Sequence, residues 1–556
     1  MVDTHPDLIV TNGRVLTMDD SNPRAEAIAV KNGEIAALGV ACDIEAMKGP
    51  KTKVIDARGG SVLPGFIESH LHLFLGAAEL SHLQLFGARG FDALKEKLSA
   101  FAAAHPDMPM LMGQGCDYTI LSKDEPLTRH HLDRIVADRP VALVAPDHHT
   151  MWANTRALEM AGLLNGRRVK SGNEVVIGAD GLASGELREW EAMTPVAALA
   201  GQSRVRLGIE TGGEPDYAPT PAEWAADKET MCKGLAYAAE YGITSFHNMD
   251  GNFYQLEILA ELEEEGALKV RAQVPFHFKK PMSLDALERA SEMAKRYRGE
   301  WLKSGIVKIF MDGVLDSGTA YMIEPYPDGT NWRGEPYFSD VEFAAIATEI
   351  DRRGLQIAVH AIGDAAVRSV LDGYQAARRA NGPRDSRHRI EHIEVTTEAD
   401  IPRFADLGVV ASVQSPILPG AIGVPLEPTV SKIGRARWHL AYAWRTLKLA
   451  GARVIFNSDW PVSSISPIAG IQAALMRKPW ADGLPDQVFS LHEAIAAYTV
   501  EGAFAEFSEH RKGKLKPGYL ADIVILSGDI EAAPPEVLHE IRPQTTICGG
   551  RVTFAR

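Results

Sequence analysis

The sequence predicts an α/β fold: a (β/α)8 TIM-like barrel with an inserted subdomain after strand 1 and a small β-sandwich built from both chain ends. Three observations carry this reading. Eight short apolar runs alternate with helical stretches through the middle of the chain, the two ends share a hairpin-like texture, and one interval between runs is far too long for a simple loop.

At the N-terminal end, DLIVTNGRVLTM and AIAVKNGEIAALG each carry Asn-Gly between apolar runs, the dipeptide best suited to a two-residue hairpin turn. ADIVILSG and TTICGGRVTFAR near the C-terminus read the same way, so 1–62 and 508–556 are expected to form one composite β-sandwich. Residues 63–507 are then the barrel. Its runs are GFIESHLH (65–72), GITSFHN (242–248), VRAQVPF (270–276), GIVKIFMD (305–312), LQIAVHAIG (355–363), HRIEHIEV (388–395), GVVASVQS (408–415) and ARVIFNSD (452–459). They are rich in Val, Ile and Phe, as strands buried on both faces are. Helical stretches such as VEFAAIATEIDRRG and DAAVRSVLDGYQAARRA lie between them. Residues 73–241 separate the first run from the second and read as the inserted subdomain. In it, VALVAPDHHTMWANTRALEMAGL reads as a strand followed by a helix. SLHEAIAAYTVEGAFAEF (490–507), opened by a Ser490/Glu493 capping box, reads as one helix that ends the barrel.

Composition narrows the function. With 58 basic against 73 acidic residues, the net charge of −15 disfavours nucleic acid or an anionic membrane as a partner. No apolar run approaches the ~18 residues of a membrane span, and the N-terminus lacks the pattern of a secretory signal. A cytoplasmic protein acting on a small molecule is expected, with homo-oligomerisation left open. Cys42, Cys116, Cys232 and Cys548 form no CxxC pair, which disfavours both a disulfide framework and a thiolate-ligated zinc site.

The chemistry sits where the runs end. His70 and His72 close the first run, Lys308 lies in the fourth, His360 near the end of the fifth, His392 in the sixth, and Asp459 ends the eighth. In a barrel the C-terminal strand ends surround one point. Each residue alone has a structural reading: His360 as a hydrogen-bonded core histidine, Lys308 as an interior lysine, Asp459 as a helix cap. Four imidazoles and a carboxylate arriving there in order match zinc or a similar divalent ion. In the insert, Cys116, His149, Trp152 and Asn154 are the candidate substrate-binding residues. Trp152 also reads as packing, and Cys116 as a small buried apolar group.

LPGFIESHLH, VKIFMDG, AVHAIGD, RIEH and IFNSDWPV resemble the metal-dependent amidohydrolase superfamily, and within it the subgroup related to N-substituted formamide deformylases. The likeness runs almost end to end, through GKLKPGYLADIVIL, PDHHTMWANTRAL and DGLASGELRE. It implies that His70 and His72 bind the more buried metal. It implies that Lys308, if N6-carboxylated, bridges two zinc ions, and unmodified leaves one. His360 and His392 would be ligands of the second metal, and His392 a candidate for oxyanion stabilisation. Asp459 would touch the metal and act as general base and acid. The implied reaction is hydrolysis of an amide-like C–N bond in an N-substituted formamide, amide or related carbonyl compound. Barrel isomerases or decarboxylases, and hydrolases of esters, lactones or cyclic ureides, are the alternatives. Two departures stand out: Glu68 where the superfamily favours Asp, and GQGCD with Cys116 where many relatives have Trp.

Overall fold

A computed structural model describes residues 5–170, 172–200, 212–421 and 424–556. Each of the eight runs is a strand: Phe66–Leu71, Ile243–Asn248, Arg271–Gln273 continued by Phe276–His277, Ile306–Phe310, Gln356–Ala361, Arg389–His392, Val410–Val413 and Arg453–Phe456. Neighbours in this order pair in parallel, for example Phe66 with Ile243, Phe310 with His360 and Val413 with Phe456. The third strand is interrupted at Val274 and Pro275. Its two halves pair with Leu302–Lys303 and with Ile306–Phe310, on either side of Gly305. At the other end of the order, the amide of Asp459 donates to His70 O (2.9 Å) and that of His72 to Trp460 O (2.8 Å). Helices Asp340–Arg352 and Asp364–Asn381 follow the fourth and fifth strands, as their periodicity predicts. Among the described residues no helix is long and apolar enough to cross a membrane.

The chain ends meet in two sheets. One holds Leu8–Thr11, Ala27–Lys31, Glu34–Gly39 and Lys53–Asp56. The other joins Arg14–Leu16, Arg24–Ala25 and Ser61–Pro64 to the C-terminal strands Ile523–Leu526, Pro543–Cys548 and Arg551–Ala555. Val10, Ile28, Val62, Ile523 and Ile547 fill the space between them. The two Asn-Gly pairs behave differently. Asn32 and Gly33, both at positive φ, make the expected hairpin with Lys31 opposite Glu34. Asn12-Gly13 does not: it passes the chain from one sheet to the other, and a Cβ at Gly13 would meet Val62 Cγ2 at 2.6 Å.

Two further expectations are corrected. PDHHTMWAN does not lie on a path from one strand to a helix: Val141–Val144 and Thr150–Ala153 form an antiparallel hairpin within a six-stranded mixed sheet, and the helix starts at Thr155. The segment 490–507 is two helices, Leu491–Ala497 and Val500–Ala505. The Ser490/Glu493 box caps the first, and Thr499, whose hydroxyl turns back to Ile495 O, separates them.

The Pro-Gly step before the first strand carries the chain from the terminal sheet to the central one. Its amide donates to Asp522 O (2.9 Å), and a Cβ on Gly65 would sit 2.3 Å from Thr244 on the second strand. Gly65→Ala is therefore expected to destabilise the protein by roughly 1–3 kcal/mol through overpacking, read as a lower urea midpoint at unchanged activity per folded molecule.

Candidate metal centre

The six residues read from the strand ends converge. His70 lies in the first strand, while His72 falls just past its end and begins the helix Leu73–Glu79. Both point Nε2 at one oxygen, Asp459 Oδ1, at 3.2 and 3.1 Å. A donor atom from each of these three residues lies within 4.8 Å of the others. The His392 ring is 5.2 Å from that of His70 and 4.3 Å from that of His360. Lys308 Nζ, fully buried, is 3.5 Å from His70 Nε2. His392 and Asp459 hold left-handed backbone conformations, with φ of 78° and 55°.

Each imidazole is oriented by a partner on its far side. His70 Nδ1–H donates to Glu391 Oε2 (2.7 Å) and His72 Nδ1–H to Asp250 Oδ2 (2.5 Å). His392 Nδ1–H donates to Gln414 Oε1 (2.9 Å), itself held through Asn457. His360 donates from Nε2 to Gly313 O (3.0 Å), which leaves its Nδ1 with the lone pair. Fixing one nitrogen by hydrogen bonding leaves the other as a ligand atom and raises its basicity. Sequence reasoning did not single out Asp250, Glu391 or Gln414. The signal available for the first two was an acid at or just beyond a strand end.

The donor set fits a divalent cation. Asp459 Oδ1 and His392 Nε2 are buried and make no hydrogen bond among the described residues, an unfavourable state for a protein interior unless a ligand completes it. Burial disfavours a charged His72, but Asp250 and Asp459 outweigh it and bring its pKa to about 10. Burial likewise opposes ionisation of Asp459, and the facing His70 and His72 hold its carboxyl well below the usual range. Such a pocket attracts positive charge. Burial lowers the Lys308 pKa despite Glu391 and Asp459 nearby.

Glu68, the departure from the superfamily pattern, orients no imidazole. Its Oε1 accepts the amides of Ser458 (2.9 Å) and His70 (3.2 Å), tying the first strand to the turn that carries Asp459. Burial raises its pKa to about 8.

A cleft of about 1400 Å³ opens above the centre, walled partly by the insert. His149 lines it. Its Nδ1 meets Glu189 Oε2 at 2.9 Å, and Glu189 in turn accepts from Thr319. Burial opposes its charge, but Glu189 brings its pKa to about 9, so a cationic imidazole faces the cleft. The other three insert residues do not line it. Cys116 is fully buried in an apolar cluster with Leu111 and Leu143, where burial pushes its thiol well up. Trp152, 2% exposed, packs in the same cluster edge-on to Tyr118. Asn154 caps the helix Thr155–Met160: Oδ1 accepts from Ala157 and Val141, and Nδ2 donates to Val136 O and Arg139 O. All its hydrogen-bonding capacity serves the insert's own fold. The sequence did not reveal that the hairpin's alternate residues face that core.

Parallel strands whose ends gather imidazoles, a lysine and a carboxylate define a metal-dependent hydrolase. The chain belongs to the amidohydrolase family, which it matches over residues 53–554, and is an enzyme acting on carbon–nitrogen bonds other than peptide bonds. It is 29% identical over 531 residues to the protein LONG AFTER FAR-RED 3 of Arabidopsis thaliana, covering 94% of this chain and 87% of that one. It is 25% identical over 559 residues to the N-substituted formamide deformylase of Arthrobacter pascens, covering 99% and 98%. The fold is shared with an uncharacterized metal-dependent hydrolase from Pyrococcus horikoshii OT3, with a TM-score of 0.70 at 24% identity over 95% of this chain and 99% of that one.

Proposed function

We propose that the protein hydrolyses the amide bond of a small N-substituted formamide or related amide at a zinc centre held by His70, His72 and Asp459, with His360, His392 and Lys308 completing one or two sites. The observation that carries this is the Asp459 carboxylate set between His70 Nε2 and His72 Nε2, with Glu391 and Asp250 behind the two rings. In this reading the eight strands close into a (β/α)8 barrel over 63–507. The hydrogen bonds from Asp459 to His70 and from His72 to Trp460 support that closure. Residues 73–241 are its insert, and 1–62 with 508–556 its β-sandwich.

A divalent ion bound by these residues supplies Lewis acidity, lowering the pKa of water from 15.7 to about 7 and polarising a carbonyl. Asp459, ionised at neutral pH, takes the proton from the attacking water and delivers it to the departing nitrogen. The His149 imidazolium, held by Glu189, stabilises negative charge developing on the acyl oxygen. Lys308, deprotonated more readily because it is buried, is suited to carbamate formation with CO2, and the carbamate would add carboxylate-like oxygens to the donor set that holds the metal.

The test is amine and formate release from a panel of N-substituted formamides by enzyme of measured metal content. Chelation is expected to abolish turnover and zinc to restore it. Incorporation of 18O from labelled water into the acid is the expected isotopic result. A product formed without uptake of water assigns an isomerase or decarboxylase instead.

A further inference from the structure

We propose that the substrate carries a protonated amine, and that Glu394 and Asp316 bind it in the cleft beside the metal centre. The inference rests on the reading of that cleft as an amide-hydrolysing site, and it names the class of molecule the cleft takes.

Three carboxylates from three separate elements line the cleft. Glu394 follows His392 by two residues at the end of the sixth strand, Asp316 lies in the loop after the fourth, and Asp147 lies in the insert's hairpin between Val141–Val144 and Thr150–Ala153. Each is held by a neutral hydroxyl. Tyr442 Oη donates to Glu394 Oε2 (2.8 Å), Thr429 Oγ1 to Asp316 Oδ1 (2.5 Å) and Tyr118 Oη to Asp147 Oδ2 (3.0 Å). The three are electrostatic neighbours. Burial, then Glu394 and Asp316, push the Tyr442 pKa well up. Burial, then Asp147, push the Asp316 pKa up to about 7.

None of the three makes an ion pair among the described residues. Asp117, in the same cleft, is met by Arg89 at 3.6 Å. Lys432 and His149 act on Asp316 and Asp147 from a distance, but Lys432 lies over the Tyr326 ring (5.9 Å) and His149 is engaged by Glu189. Glu394 is the clearest case. It is 7% exposed and lines the cleft, and its Oε1 makes no hydrogen bond among the described residues yet is not sealed from solvent. Crowded carboxylates without a counter-ion raise one another's energy, and a cation in the cleft relieves them. A bare metal ion does not fit this wall: among the described residues only His70, His72 and Asp459 bring donor atoms within 4.8 Å of one another. A protonated amine, with three N–H donors, reaches acceptors set farther apart.

The test uses the zinc-loaded full-length enzyme at pH 7 and two matched sets of N-alkylformamides. Their chains, of about three to six methylenes, end in a primary amine or in a hydroxyl. At the best chain length, kcat/KM for the amine set is expected to exceed that for the hydroxyl set by at least about tenfold, the size of one charge-assisted hydrogen bond. Glu394→Gln and Asp316→Asn are each expected to cut this ratio by at least about fivefold, through a higher KM for the amine set. Each ratio compares two substrates on one protein sample, so differences in metal content or folded fraction cancel. A parent ratio of about one or less, or a ratio that either variant leaves unchanged, would overturn the proposal. If the parent hydrolyses no member of either set, the amide reading fails by itself. Calorimetric binding of the α,ω-diamines against the amino alcohols of equal length then decides the matter. Diamine binding at least about tenfold tighter, with the preference lost in both variants, supports the proposal, and any other result overturns it.

Discussion

Asp459→Asn is expected to lower kcat by roughly 10²–10⁴-fold, the range set by loss of a positioned proton acceptor, while the fold stays intact. Asn preserves the shape of the side chain and tolerates the φ of 55° at this position better than Ala does. The backbone amide of residue 459 still reaches His70 O, so the contact between the first and last strands is untouched. What changes is charge. Asp459 Oδ1 is the shared neighbour of His70 Nε2 and His72 Nε2, and the carboxylate is held ionised by them. Metal content separates the two roles of this residue. A variant that keeps its metal and loses turnover has lost its base. One that loses its metal shows that Asp459 is needed first as a ligand. Turnover within tenfold of the parent, with metal retained, would remove Asp459 from the proton-transfer step.

The strands and the metal-facing residues were legible in the sequence because both follow short-range rules. A parallel strand buried on both faces must be an apolar run, and polar residues at its C-terminal end have one place to go. His70, Lys308, His360, His392 and Asp459 could therefore be placed together without coordinates. The supporting carboxylates could not. Asp250 and Glu391 are ordinary acids in sequence, and only the fold brings them 178 and 321 residues along the chain to His72 and His70. The insert was the least legible part. Trp152 and Asn154 belong to the neighbourhood of a cleft-facing histidine, but strand alternation turns Trp152 into a separate core and Asn154 is the cap of the helix Thr155–Met160.

The largest expected loss of stability lies beneath the metal centre, at Arg389. Arg389 and Glu391 are both fully buried and pair at 2.9 Å. The guanidinium also donates to Ser69 O (2.6 Å) and Ser412 Oγ (3.1 Å) and lies 2.7 Å from His247 Nδ1, so it joins the first, second, sixth and seventh strands. Replacing one member of a buried ion pair strands the other charge. Arg389→Met is thus expected to cost about 3–5 kcal/mol, measured by urea denaturation of the metal-free protein. Burial pushes the Glu391 carboxyl up, but Arg389 and His70 outweigh it and hold it well below the ordinary carboxylate range. A depressed folded pKa contributes stability that is present above the ordinary value and fades as pH falls. The gap between parent and Arg389→Met should therefore be full at pH 7 and narrow toward pH 4, where protonation relieves the stranded carboxylate. Glu391→Gln addresses the other half of the pair. Its amide still accepts from His70 Nδ1 but no longer raises the basicity of that ring, and a fall in metal affinity of about 10–100-fold is expected. Combining Glu391→Gln with Arg389→Met removes both charges, so the double variant should recover part of the stability lost by Arg389→Met alone while binding metal as weakly as Glu391→Gln. A double variant no more stable than Arg389→Met would mean that the strand-bridging bonds to Ser69, Ser412 and His247, rather than the charge pair, carry the stabilising role of this arginine.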